Sequence, residues 1–225
     1  MDGDCGYEDF RGCLHSLEQV NRWLMGYRPT LAWLGQVCLD RLLRGPHAPV
    51  HIVDVGSGGG DLLRQIAGWA RQRGMAVQLT GIDLSPYAAR AAEESTRKEL
   101  GIAWVTGDAL KYQPKTPVDI VVSSLTMHHL EDEEIIEHLR WMEGTAQTGW
   151  FIDDLERSEL ASRMFAWIAK IAGWHRFVQY DGPVSFRRAF REEDWVRLLA
   201  AAEVPREAVT IEHWRPGRLC VGRWK

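Results

Sequence analysis

The feature that most constrains this fold is a regular beat of short apolar runs and amphipathic stretches between residues 50 and 155. The apolar runs are VHIVDV, VQLTGIDL, IAWVTGDAL, VDIVVSSL and GWFIDDL. Between them lie DLLRQIAGWARQRG, PYAARAAEESTRKEL and DEEIIEHLRWM, which carry helical spacing. Strands that alternate with helices at this spacing predict a parallel sheet covered by helices on both faces. Right-handed crossovers then make the fold doubly wound, with ligands at the carboxyl ends of the strands. Ser85 is placed as the N-cap and Pro86 as the first residue of the second helix; Asp132 is placed to cap the third.

The flanks follow other rules. In residues 1–48 Leu14, Leu17, Val20 and Leu24 recur at helical spacing, as do Leu31, Leu34, Val37 and Leu42 after Pro29. Gly45, Pro46 and Pro49 mark a turn. After residue 155 a helix is expected over 158–173, with Leu160, Met164, Trp167, Ile168 and Ile171 on one side. A loop rich in aromatics and arginines, WHRFVQYDGPVSFRRAF, should follow, then a helix from Glu192 to Ala202 and the strands AVTIEHW and RLCVGRW. The expected organisation is one domain over 1–225. It comprises an N-terminal helical segment (1–48), a ligand-binding core (50–155), a cap (156–190) and a closing helix with strands (191–225).

Composition excludes several functions. Against 31 acidic residues stand 27 basic ones, a net charge of −4. That gives no electrostatic case for nucleic acid or an anionic membrane surface. Cys5, Cys13, Cys38 and Cys220 form no CxxC pair, so reduced thiols are expected, with no metal site. No apolar run approaches the ~20 residues of a membrane span, and MDGDCGYEDF has no signal-peptide pattern. A soluble, cytoplasmic protein is expected; the oligomeric state is not readable.

Four motifs carry chemistry. Val53–Asp61 reads VDVGSGGGD at the first strand-to-helix turn, where glycines let a ligand touch the backbone and permit positive φ. A dinucleotide GxGxxG counted from Gly56 would need its third glycine at position 61, which is Asp61, a carboxylate that opposes a pyrophosphate. Asp83, with Leu84, ends the second run, where a carboxylate can accept from ribose hydroxyls. Asp108 and Ala109 follow the third and suit an adenine. Ser123 and Ser124 end the fourth, followed directly by Met127-His128-His129-Leu130. A histidine there suits proton removal near neutrality, its unperturbed pKa being ~6.5.

Arriving in this order, the four motifs resemble the class I S-adenosylmethionine (SAM)-dependent methyltransferase superfamily over residues 50–155. The resemblance implies a Rossmann-like, doubly wound seven-stranded sheet whose last strand is antiparallel. It implies SAM as cofactor, with S-adenosylhomocysteine (SAH) as product. Asp54 would organise the methionine amino group, and Gly56, Gly58 and Gly60, with Ser57, would approach the cofactor. Asp83 would hold the ribose beside Leu84, Asp108 and Ala109 would read the adenine, and Ser123 and Ser124 would line the methionine end. MHHL looks like the quinone- and small-molecule-methylating branch. FIDDLERS, SFRRAF and PGRLCV resemble methyltransferases encoded beside polyketide synthases. Ala202-Glu203 departs from the Ala-Gly that usually ends the last large helix.

The expected activity is methyl transfer to a small, hydrophobic or aromatic acceptor, with a hydroxyl favoured over carbon or nitrogen. His128 or His129 would be the base. Trp167, Trp174, Phe177, Tyr180 and Phe186 are expected to line an apolar pocket, Arg187 and Arg188 to meet an acidic substrate group or the cofactor carboxylate, and Tyr27 and Arg28 to close the site. An NAD-dependent oxidoreductase explains Asp83 but not Asp61. A non-catalytic SAM-binding module leaves the polar residues after the fourth strand without a purpose.

Overall fold

The structure is a computed structural model that describes residues 6–39 and 48–225. Leu42, Gly45, Pro46 and Cys5 lie outside the described residues. Seven strands form one sheet: β1 (Val50–Val55), β2 (Val77–Asp83), β3 (Ala103–Thr106), β4 (Val118–Ser124), β5 (Ala146–Leu155), β6 (Val209–Trp214) and β7 (Arg218–Trp224). Their order is β3-β2-β1-β4-β5-β7-β6. β1 to β5 run parallel, and β7 is antiparallel to both β5 and β6. This is the expected doubly wound sheet.

The helices are α1 (Tyr7–Trp23), α2 (Arg28–Val37), α3 (Asp61–Gln72), α4 (Pro86–Ser95), α5 (Asp132–Thr145), α6 (Glu159–Ile171), α7 (Arg176–Arg188) and α8 (Glu192–Ala201). Strand periodicity sends side chains to opposite faces. Ile52 joins Leu34, Leu63 and Ile66 on one face, while Val53 and Val55 join Leu139, Trp195 and Leu198 on the other. A third apolar cluster, holding Val20, Phe165, Trp174 and Phe186, fixes α1 against α6 and α7 over the strand ends. Cys13, Cys38 and Cys220 are buried thiols. Among the described residues no helix is long and apolar enough to cross a membrane.

Local details differ from the sequence reading. The cap of α5 is Glu131, which forms a reciprocal box with Glu134; Asp132 instead pairs with Arg197 at 2.6 Å. The Ser85 side chain makes no cap bond, although Pro86 does open α4. The third strand is shorter than expected, ending at Thr106, and α4 stops at Ser95. Residues 174–190 are largely helix, not loop, with Pro183 inside α7. The expected apolar side of α6 faces solvent: Leu160, Met164, Trp167 and Ile171 are exposed, while Ser162, Phe165 and Ala169 turn inward. At Ala202-Glu203 the helix ends as a glycine would end it, because Glu203 itself takes φ +62°.

Candidate active site

A cavity of about 360 Å³ opens at the carboxyl ends of β1, β2 and β4 and is closed by α1. Its floor is the turn after β1. Gly56, Gly58 and Gly60 all have positive φ, but they serve different ends. A Cβ on Gly56 would overlap Thr126, and one on Gly60 would overlap the Trp104 ring, whereas one on Gly58 would meet only Leu14 at 3.6 Å. Gly56, Ser57 and Gly58 line the cavity; Gly60 does not. Its bare backbone makes room for Trp104, a close approach only glycine allows.

Three carboxylates converge on this cavity: Asp54, Asp61 and Asp83. Asp83 accepts from the Gly58 and Ser85 backbone N–H groups, each at 2.9 Å. Burial pushes its carboxyl up, and those two bonds pull it partly back. Asp61 accepts from Tyr27 Oη at 2.8 Å and Asn21 Nδ2 at 3.1 Å. Burial and the neighbouring Asp61 drive the Tyr27 hydroxyl far above the usual phenol range. Asp54 is fully buried and its Oδ1 has no hydrogen-bond partner. Burial, then Asp61 and Asp83, raise its carboxyl well above the usual range. A buried carboxylate oxygen left unpaired costs its desolvation penalty of about 1–3 kcal/mol or more. Such a set of acceptors fits a ligand bearing a cation and hydroxyls and repels phosphate.

Leu84 and Ser124 also line this cavity. Ser123 does not; it is buried and donates to the Val55 carbonyl at 2.9 Å. Asp108 and Ala109 lie outside it as well. Asp108 accepts from Leu110 N at 2.9 Å and pairs with Lys111 at 3.1 Å, capping a 3₁₀ turn. The sequence reading missed the ceiling from α1: Phe10, Leu14, Leu17 and Asn21. Their helical spacing was legible, but not what they cover. Tyr27 does close the site; Arg28 is exposed and lines none of its walls.

A second cavity, mainly apolar and about 120 Å³, adjoins the first and shares Leu17, Asn21, Leu125 and His129 with it. Phe165, Phe177 and Phe186 line it. Trp174 is buried behind Phe165, their centroids 5.7 Å apart. Trp167 and Tyr180 are 68% and 75% exposed and lie outside it. Arg187 is exposed and lines none of these cavities, while Arg188 edges a polar hollow that reaches His128 and His129 from the other side.

His129 stands where the two cavities meet and His128 lines the apolar one beside it, both in the 3₁₀ turn Met127–His129 after β4. His128 is buried, and its Nδ1 lies 2.6 Å from Asp154 Oδ1. Burial opposes the charge on Asp154, yet His128 beside it and the Leu155 N–H hold the carboxyl below the usual range. An ionised carboxylate only accepts, so Nδ1 carries the proton and Nε2 is the nitrogen left for a ligand. The His129 ring packs on His128 with centroids 4.2 Å apart. The adjacent Asp153 points the other way and pairs with buried Arg218 at 3.0 Å. The signal for Asp154 was present in the sequence: paired acids at the carboxyl end of an apolar strand.

Residues 52–149 match the model of a methyltransferase domain. The trans-aconitate 2-methyltransferase of Mycobacterium tuberculosis is 30% identical over 123 residues, which are 55% of this chain and 41% of that protein. The chain thus matches less than half the length of this relative. The plantazolicin methyltransferase BpumL in complex with SAH shares the fold with a TM-score of 0.66 at 16% identity, over 96% of this chain and 95% of that one. Human N-acetylserotonin methyltransferase in complex with SAM gives 0.65 at 14% identity, over 98% of this chain and 56% of that one. With its strand order and antiparallel β7 this chain has the fold of those methyltransferases, and its match to a methyltransferase domain spans residues 52–149.

Proposed function

We propose that the chain methylates a hydroxyl on a small, mostly apolar acceptor, with SAM as donor and His128 as the general base. The observation that carries this reading is the junction of the two cavities: a carboxylate-lined one and an apolar one meet at Leu125 and His129. The residues present fit SAM. Asp54, with its unpaired oxygen, suits the methionine ammonium, and Asp83 suits the ribose hydroxyls. Bound there, SAM supplies a methyl group already activated by its sulfonium.

The chain's own contribution is orientation, exclusion of water and a place for the proton. α1 roofs the carboxylate cavity and is tied down by the 2.8 Å Arg64–Glu18 pair. Holding reactants in line can supply up to ~7–11 kcal/mol in ideal cases. Nε2 of His128 takes the acceptor's proton, and Asp154 holds the ring and steadies the imidazolium that results. An acidic acceptor, such as the one named for the mycobacterial relative, is less well served. The guanidinium on the apolar cavity, Arg218, is already committed to Asp153.

The test is incubation with SAM and a panel of small hydroxylated aromatics, with products identified by NMR. Aryl methyl ethers support the reading. Ring-carbon or nitrogen methylation, or turnover of carboxylates alone, refutes it.

A further inference from the structure

Gly182 and Pro183 stand side by side in the middle of α7. In a helix interior these are the two least favourable residues. Packing gives the glycine its reason. A Cβ there would overlap the ring of Phe165 on α6, reaching Cε1 and coming within 2.7 Å of Cδ1 and 2.9 Å of Cζ. The ring lies against bare backbone, in a notch that no other residue provides. Trp174 and Phe186 hold it from other sides, each with its centroid 5.7 Å away. Phe165 is 8% exposed and Trp174 and Phe186 are 7% exposed, so the ring is held on the sides away from the cavity.

Phe165 and Gly182 both line the apolar cavity of about 120 Å³. For scale, an apolar protein cavity of about 150 Å³ holds one benzene. The Phe165, Phe177 and Phe186 rings around this cavity favour offset or edge contacts with an aromatic guest. We infer that Phe165, seated in the Gly182 notch, sets the size of this cavity, and that the acceptor places a single aromatic ring in it. This rests on the reading of the cavity as the acceptor's. The ring's hydroxyl points to the end shared with the carboxylate cavity, at Leu125 and His129. A fused two-ring phenol would have to push Phe165 into Trp174.

The experiment is calorimetric titration of the full chain with 4-methylphenol and with 2-naphthol, each with and without SAH. It uses the wild-type, Phe165→Leu, Gly182→Ala and doubly substituted proteins, with thermal unfolding to show that each is folded. Wild-type protein should bind 4-methylphenol at least about tenfold more tightly than 2-naphthol, the scale on which apolar pockets discriminate size. Phe165→Leu should remove or reverse that preference. Gly182→Ala should weaken 4-methylphenol about tenfold, and adding Phe165→Leu should restore it. Equal binding of both phenols to the wild type, binding of neither, or an unchanged preference in Phe165→Leu overturns the inference. Failure of SAH to bind counts against the cofactor reading alone, because the titrations without SAH still report ring size.

Discussion

The carboxylate cavity and the apolar cavity beside it are built by different means. The carboxylate cavity is made from turns at the carboxyl ends of β1, β2 and β4, and its key groups are backbone atoms and acids fixed by the sheet. The apolar cavity is made from side chains of α1, α6 and α7, which touch only through tertiary packing. One is set by topology and the other by which face of each helix turns inward. The sheet can therefore hold a constant ligand while the helices suit it to a particular partner.

The largest expected effect lies beside the junction of these cavities. His128→Ala should lower kcat by ~10²–10⁴-fold, the contribution of a positioned base. SAH affinity should stay within about twofold, because His128 does not line the carboxylate cavity. His129→Ala should cost less. A wild-type rate in both single variants and in the double variant would remove the histidines from the mechanism.

Next comes the carboxylate cavity alone. Asp54→Asn should weaken SAH by about 10–100-fold, from the loss of a charge-assisted contact. The same change should stabilise the ligand-free protein. Folding raises the Asp54 carboxyl, so its contribution to stability is present at low pH and is lost as pH rises through the folded value. The thermal advantage of Asp54→Asn over wild type should therefore grow from acid toward neutral pH. SAH affinity of the wild type should rise over the same range, because acid protonates Asp54. An advantage that does not change with pH would contradict the buried-charge reading.

A smaller effect separates shape from binding within the same loop. Gly60→Ala should destabilise by about 1–3 kcal/mol through φ +74° and the clash with Trp104, seen as a lower Tm. The smallest tests the surface. Trp167→Gln or Leu160→Gln should change stability by no more than about 0.5 kcal/mol and leave acceptor preference untouched.

The same contrast explains what was legible in the sequence. The doubly wound plan follows from strands and helices alternating along the chain, and Asp83 is legible as a carboxylate at a strand end; the antiparallel β7 and the role proposed for Asp54 come from the family resemblance. The cap was not legible in this way. α6 is apolar on two stripes, and periodicity alone does not say that Phe165 and Ala169 face inward while Leu160 and Trp167 face water. Gly182-Pro183 reads as a helix breaker until Phe165 is seen to occupy the notch. Asp108 reads as a ligand residue, and the structure adds that its carboxylate caps a turn at the Leu110 N–H and pairs with Lys111.

Calorimetry of the full chain with SAH, SAM and NAD tests most directly whether the carboxylate cavity takes SAM. The prediction is one site for SAH and SAM, lost or strongly weakened in Asp54→Asn, and no heat from NAD. Binding of NAD without SAH or SAM would contradict it.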